Sequence, residues 1–132
     1  MTHTGQCHCG AIRVAFETEQ PLAPRACQCS FCRKHGARNV TDPDGSAVII
    51  LDGEPIRYRF GTGTTDFLIC GRCGVYLGAT AEIDGGTYVT LNLNAFDDPR
   101  LDLAAQPVSY GGEGAAAKVD RRRERWTPVR RA

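Results

Sequence analysis

The chain's 132 residues, 42% of them hydrophobic, are enough for one core, and a net charge of +1 excludes any general attraction to nucleic acid or an anionic membrane. We take residues 1–132 as one domain, with a core over about 5–110 and a basic C-terminal helix and tail over about 113–132. No stretch approaches the ~20 apolar residues that cross a bilayer, and the opening MTHTGQCHCG lacks a basic patch followed by an apolar run, so the expected location is cytoplasmic.

Past the first two cysteines, Ile12, Val14 and Phe16 alternate with Arg13 and Ala15, the period of a strand with one buried face. Residues 20–26, QPLAPRA, contain two prolines and read as a loop. Residues 47–51 form an apolar, β-branched strand, 52–55 a turn, and the alternation of Ile56, Tyr58 and Phe60 completes a hairpin. Gly61-Thr62-Gly63 breaks the chain, and 66–69 lead as a strand into the last cysteine pair. Residues 75–83 and 87–93 are two further strands around Asp84-Gly85-Gly86. Only the end is helical: from about Glu113, Ala116, Val119 and Arg123 share a face, Trp126 closes it and Pro128 stops it. The fold class is therefore mainly β with a short C-terminal helix.

Seven cysteines in a reducing compartment point to metal or thiol chemistry rather than disulfides, and an odd number cannot all pair within one chain. They fall as Cys7-x-Cys9, Cys27-x-Cys29-x2-Cys32 and Cys70-x2-Cys73. A Cys-x2-Cys turn followed by Gly74 aims two thiolates at one ion, and such a turn needs a partner pair. Cys7 and Cys9, at i and i+2 on extended backbone, can complete a four-thiolate tetrahedron that holds structure and admits no substrate. Cys27, Cys29 and Cys32 supply three thiolates, and three protein ligands with one open position is the pattern of a catalytic zinc. A thiolate-rich zinc is a weak Lewis acid for water but suits an incoming thiol. Arg33 and Lys34 follow directly and could pair with carboxylates on a thiol peptide. If seven thiols lose their protons and two divalent ions bind, the charge of +1 falls by seven and rises by four, to −2.

These motifs, with Gly5 and Gly10 about the first pair, Arg33-Lys34 after the second group and Gly74 and Leu77 after the third, resemble the glutathione-dependent formaldehyde-activating (Gfa-like) proteins, a family that includes centromere protein V. The likeness extends weakly to Asn92 and Asp97-Asp98-Pro99. It implies a β-tent, Mss4-like fold of antiparallel sheets. It also implies a structural zinc on Cys7, Cys9, Cys70 and Cys73 and a weaker-bound, catalytic zinc on Cys27, Cys29 and Cys32, two ions per chain. The implied reaction is that of a carbon–sulfur lyase, joining glutathione as co-substrate to formaldehyde as S-hydroxymethylglutathione. Two positions depart from the family pattern: His35-Gly36-Ala37 after the basic pair, and Asn94 where glycine is common.

Several residues carry a plainer alternative. His35, at Cys32-x2-His35, could close the second metal site as a fourth ligand. His8 reads as solvent-facing and His3 as loose terminus. Asp97 and Asp98 before Pro99 read as a turn rather than an acid/base pair, and Tyr58, Tyr76 and Tyr88 as half-buried strand residues rather than proton donors. The terminal arginines read as the charged outer face of a helix docked by Trp126, in preference to a nucleic-acid contact. Beside the enzyme, with a small thiol and an aldehyde as partners, stand a non-catalytic zinc module binding protein or nucleic acid and an oxidisable thiol reservoir. Homo-oligomerisation is left open.

Overall fold

The computed structural model describes residues 1–131. In chain order the strands and helices are β1 (Thr2–Gln6), β2 (Ile12–Glu17), β3 (Arg25–Cys27), α1 (Ser30–His35), β4 (Asn39–Val40), β5 (Ser46–Leu51), β6 (Ile56–Tyr58) and β7 (Asp66–Ile69). There follow β8 (Tyr76–Ile83), β9 (Gly86–Asn92), β10 (Gln106–Val108), α2 (Ala115–Arg125) and β11 (Thr127–Arg130), with short 3-10 turns at Leu93–Ala95 and Pro99–Leu101. The chain is mainly β, as its alternating segments predict.

The strands run β1-β2-β5-β11-β9-β4-β3-β10, and β8, β7 and β6 extend in turn from β9. The joint is β11, whose Val129 and Arg130 pair in parallel with Ala47 and Val48 while Thr127 and Pro128 pair antiparallel with Val89 and Tyr88. The resemblance implied antiparallel sheets; β11–β5 and β10–β3 are parallel, so the arrangement is mixed. Parallel partners distant in sequence leave no hairpin signal for sequence reading to find. For the same reason β10 and β11 were not foreseen.

Two local expectations also change. The terminus expected to be loose is strand β1, with His3 opposite Phe16. Its polar sequence THTGQ hid a strand ordered by pairing rather than by its own apolar face. The segment Ser30–His35, not predicted as helix, is α1, capped at its start by Cys29 and at its end by Gly36 at φ 58°. Six residues are too few for a helical period to register.

The main core packs Phe16, Val40, Leu77, Val89, Leu91 and Leu93 with Cys7 and Cys70. A second cluster sets Trp126 on Ala79, Ala81 and Ile83, with Val119 of α2 alongside. The small alanines leave room for the indole, so α2 docks over β8 through Trp126 as its sequence suggested. Its inward face differs, however: Arg122 is buried, while Ala116 and Arg123 are exposed. Arg123 pairs instead with Asp84 and Asp120, each below 3 Å. No helix among the described residues is long and apolar enough to cross a membrane.

Candidate functional site

Cys7 and Cys9 lie in the turn between β1 and β2, and Cys70 and Cys73 in the turn between β7 and β8. The fold brings all four sulfurs within 4.8 Å of one another. Cys7 Sγ is 3.7 Å from Cys9 Sγ, which is 3.6 Å from Cys70 Sγ. Four sulfurs at about 2.3 Å from one zinc ion would stand about 3.8 Å apart, so the group fits a tetrahedral ion. Backbone donors surround it: Ile12 N–H reaches Cys7 Sγ at 3.3 Å, and Arg72 and Cys73 N–H reach Cys70 Sγ at 3.4 and 3.5 Å. The backbone N–H groups of Cys73 and Arg72 hold the Cys70 thiol below its ordinary range. The Val75 N–H is the main cause of the fall at Cys73, to about 6. Donors aimed at sulfur favour the charged ligand form. Gly74, at φ 80°, lets the chain leave the turn without a Cβ clash.

The second group is built at the junction of β3 and α1. Cys27 ends β3, where β10 holds it in register opposite Val108, and Gln28 N–H bonds Val108 C=O at 2.9 Å. Cys29 caps α1, its sulfur accepting Cys32 N–H at 3.4 Å, and Cys32 turns inward from the first turn of the helix. The three sulfurs lie within 4.8 Å of one another. The Cys32 thiol, bonded to Cys27, brings Cys27 down to about 5 against the upward push of burial. Cys32 is raised in return, first by that bond and then by desolvation.

His35 does not join this group. It is exposed, with its ring 4.4 Å from Phe31 and 5.4 Å from Tyr76, and the set of mutually close donors contains three cysteines and no fourth residue among those described. His8 is exposed, as expected. Asp98 bonds Arg100 N–H and its guanidinium at the turn Pro99–Leu101, in keeping with the turn reading. Arg33 and Lys34 are exposed and do not line the cavity beside the cysteines. With Cys32 facing inward, the next two residues of a helix stand about 100° and 200° further round, which turns them to solvent.

That cavity, of about 230 Å³, is bordered by Cys27, Cys29 and Cys32 and by none of the other four cysteines. Phe60, Phe67, Val108 and Trp126 supply apolar walls; Arg25, Lys118, Arg121 and Arg122 supply positive charge, and no carboxylate lines it. Among the described residues, four buried side-chain polar atoms lack a hydrogen-bond partner: Asn39 Oδ1, Thr65 Oγ1, Tyr76 Oη and Arg122 Nε. All four residues line this one cavity. Buried polar groups are otherwise almost always bonded, so their convergence marks a place made for a polar ligand.

Tyr76 was expected to be half-buried; it is 2% exposed, and desolvation followed by the charge of Cys32 holds its phenol well above the ordinary range. It therefore stays protonated and can donate. No spacing signal separated it from Tyr58 or Tyr88. Its place three residues beyond Cys73, where the second turn runs into β8, was the available clue. The departure at Asn94 has a structural role: its amide donates to Gly36 C=O at 2.8 Å and accepts from Arg38 Nε at 2.6 Å, tying the end of α1 to the turn after β9.

Fold and site together define a small mixed-β domain with two cysteine groups, each able to hold a metal ion, one set among backbone donors and one facing a cavity. The chain belongs to the glutathione-dependent formaldehyde-activating enzyme family, whose model matches residues 2–110. It is also similar to a crystal structure of a Rhodobacter sphaeroides protein, at 30% identity and a TM-score of 0.63, over 81% of this chain and 99% of that one.

Proposed function

We propose that this chain is a zinc-dependent carbon–sulfur lyase-type enzyme that adds a thiol, glutathione or a similar one, to a small aldehyde such as formaldehyde. The observation that carries this reading is the group of three close cysteines beside a cavity with unpartnered polar atoms. Cys7, Cys9, Cys70 and Cys73 would hold a structural zinc, and Cys27, Cys29 and Cys32 a catalytic one. When bound at the latter, zinc supplies the positive charge that keeps a thiol as its sulfur anion near neutral pH.

The remaining work falls to the protein. Phe60, Phe67 and Trp126 exclude water, which would otherwise compete as the hydrate-forming nucleophile. The cavity holds thiol and aldehyde together, lowering the entropic cost of a bimolecular step. Tyr76 Oη, buried and protonated, donates to the aldehyde oxygen as charge develops there. The C–S bond forms, the C=O π bond opens, and the proton lost by the thiol is balanced by one gained at the oxygen. The product is an S-hydroxymethyl adduct, with no net oxidation or reduction.

Acceleration of glutathione–formaldehyde exchange, followed by NMR exchange spectroscopy, tests the reaction. We expect it with wild type and its loss in Cys29→Ala with the circular dichroism unchanged. Exchange at the uncatalysed rate for all wild-type concentrations would remove the reading. The nucleic-acid alternative has lost much of its cationic surface, because Arg121 pairs with Glu113, Arg122 is buried and Arg123 pairs with two carboxylates.

A further inference from the structure

We infer that Arg122, on a helix beyond the residues matched to the family, is the specificity-determining residue of the cavity and selects a ligand bearing a carboxylate. The inference deepens the proposed reaction, and rests on it for the identity of the ligand as a thiol co-substrate.

Its first support is an imbalance at Arg122 itself. The side chain is 8% exposed, yet no carboxylate among the described residues lies within ion-pair distance of it. Its Nη1 donates to Thr64 Oγ1 at 2.7 Å, its Nε has no partner, and its guanidinium carbon lies 5.1 Å from the Trp126 ring. A buried cation with donors unsatisfied is costly, and an anion accepting from it offsets that cost. Desolvation, the leading cause, already weakens the hold of Arg122 on its proton, although a guanidinium remains charged in proteins.

The neighbours sharpen the assignment. Arg121 also lines the cavity but is already satisfied, with Glu113 at 2.9 and 3.2 Å and the Tyr110 ring 3.6 Å away. Arg25 donates to Thr41. Three thiolates around a divalent ion would carry a net charge of −1. Against that stand Arg25, Lys118 and Arg122, after Arg121 is balanced by Glu113. The cations outnumber what the cysteines need, which leaves room for an anionic ligand. The planar guanidinium matches a carboxylate, and the adjacent Thr65 hydroxyl can add a second donor. Arg33 and Lys34, on the outside of α1, are not placed to share this task.

Trp126 is the chain's single tryptophan and packs beside Arg122, so its fluorescence reports on this position alone. The zinc-loaded full chain is titrated with 3-mercaptopropionate and with its methyl ester, which differ in charge but share the thiol. We expect the acid to bind about tenfold or more tightly than the ester in wild type, with a change in Trp126 emission. In Arg122→Met the two affinities should fall within about twofold while ester binding is unchanged, and Arg122→Lys should keep part of the preference. Wild type without preference for the acid overturns the inference, as does a folded, zinc-replete Arg122→Met that keeps it. Equal weakening of both ligands in Arg122→Met also overturns it, because the arginine would then serve only the thiolates. Should Arg122→Met fail to fold, the wild-type and Arg122→Lys titrations decide. Catalysed exchange without an acid preference rejects this inference and leaves the proposed reaction standing; a preference without catalysed exchange does the reverse.

Discussion

Replacing Cys70 by alanine isolates the energetic role of the four-sulfur group. The Cys70 side chain is 2% exposed, and its sulfur accepts two backbone N–H groups and sits 3.6 Å from Cys9 Sγ, across 61 residues of chain. Removing it strands those donors and leaves three ligands where four close the tetrahedron. Structural zinc contributes ~10 kcal/mol or more of apparent binding free energy, against a whole-domain stability of ~5–15 kcal/mol. Loss of half that contribution would lower the melting temperature by about 15 °C or more for a chain of this length. The apolar contacts among Phe16, Leu77 and Leu91 persist, so the expected product is a collapsed but loosened domain rather than an extended chain. Inductively coupled plasma mass spectrometry should count one zinc per chain instead of two, and differential scanning calorimetry should show the lowered transition. Two retained zinc ions with a wild-type transition in Cys70→Ala would refute the reasoning, and so would a wild-type transition indifferent to a strong chelator.

Two further outcomes follow from the same geometry. Simultaneous substitution of Cys27, Cys29 and Cys32 by serine should also reduce the zinc count from two to one, but with a much smaller change in the calorimetric transition than Cys70→Ala, because only one of the two groups bridges strands of the main core. Gly78→Ala places a Cβ 2.5 Å from Thr90 O and 3.2 Å from Leu91 Cα, both backbone atoms of the neighbouring strand. Since β8 and β9 cannot separate without breaking their ladder, we expect a loss of about 2 kcal/mol or more in chemical denaturation. A loss below about 0.5 kcal/mol would count against the close approach.

Much of the site was legible because metal chemistry constrains sequence locally. Cys70-x2-Cys73-Gly74 and Cys27-x-Cys29-x2-Cys32 place their sulfurs through turns and a single helical cap, and the structure gathers each group as their spacing suggested. Strands with an alternating apolar face, such as Ile12–Glu17, were equally visible. What escaped was whatever depends on distant partners. Thr2–Gln6 is a strand because β2 is there to pair with, and β11 lies between β5 and β9 because α2, packed over β8, delivers the chain there. Arg122 was hidden for a related reason: among Arg121, Arg122, Arg123 and Arg125, composition indicates a charged helix, and only the docking of Trp126 decides which arginine turns inward.

The two cysteine groups are linked through one stretch of chain. Cys73 belongs to the four-cysteine group, and three residues later Tyr76 opens β8 with its hydroxyl at the cavity of the other. Cys70 N–H bonds Val75 C=O at 3.0 Å, and Asn92 Nδ2 bonds Tyr76 C=O at 2.9 Å, so the turn that presents Cys70 and Cys73 also fixes where Tyr76 emerges. The Phe31 ring of α1 meets Tyr76 edge-on at 4.9 Å, between Cys29 and Cys32 in sequence. Displacement of the first turn would therefore shift Tyr76 and, through Phe31, the helix that carries Cys32 and is capped by Cys29. The four-cysteine group is thus coupled to the cavity beside the other three cysteines through the short link Gly74-Val75 and the start of β8.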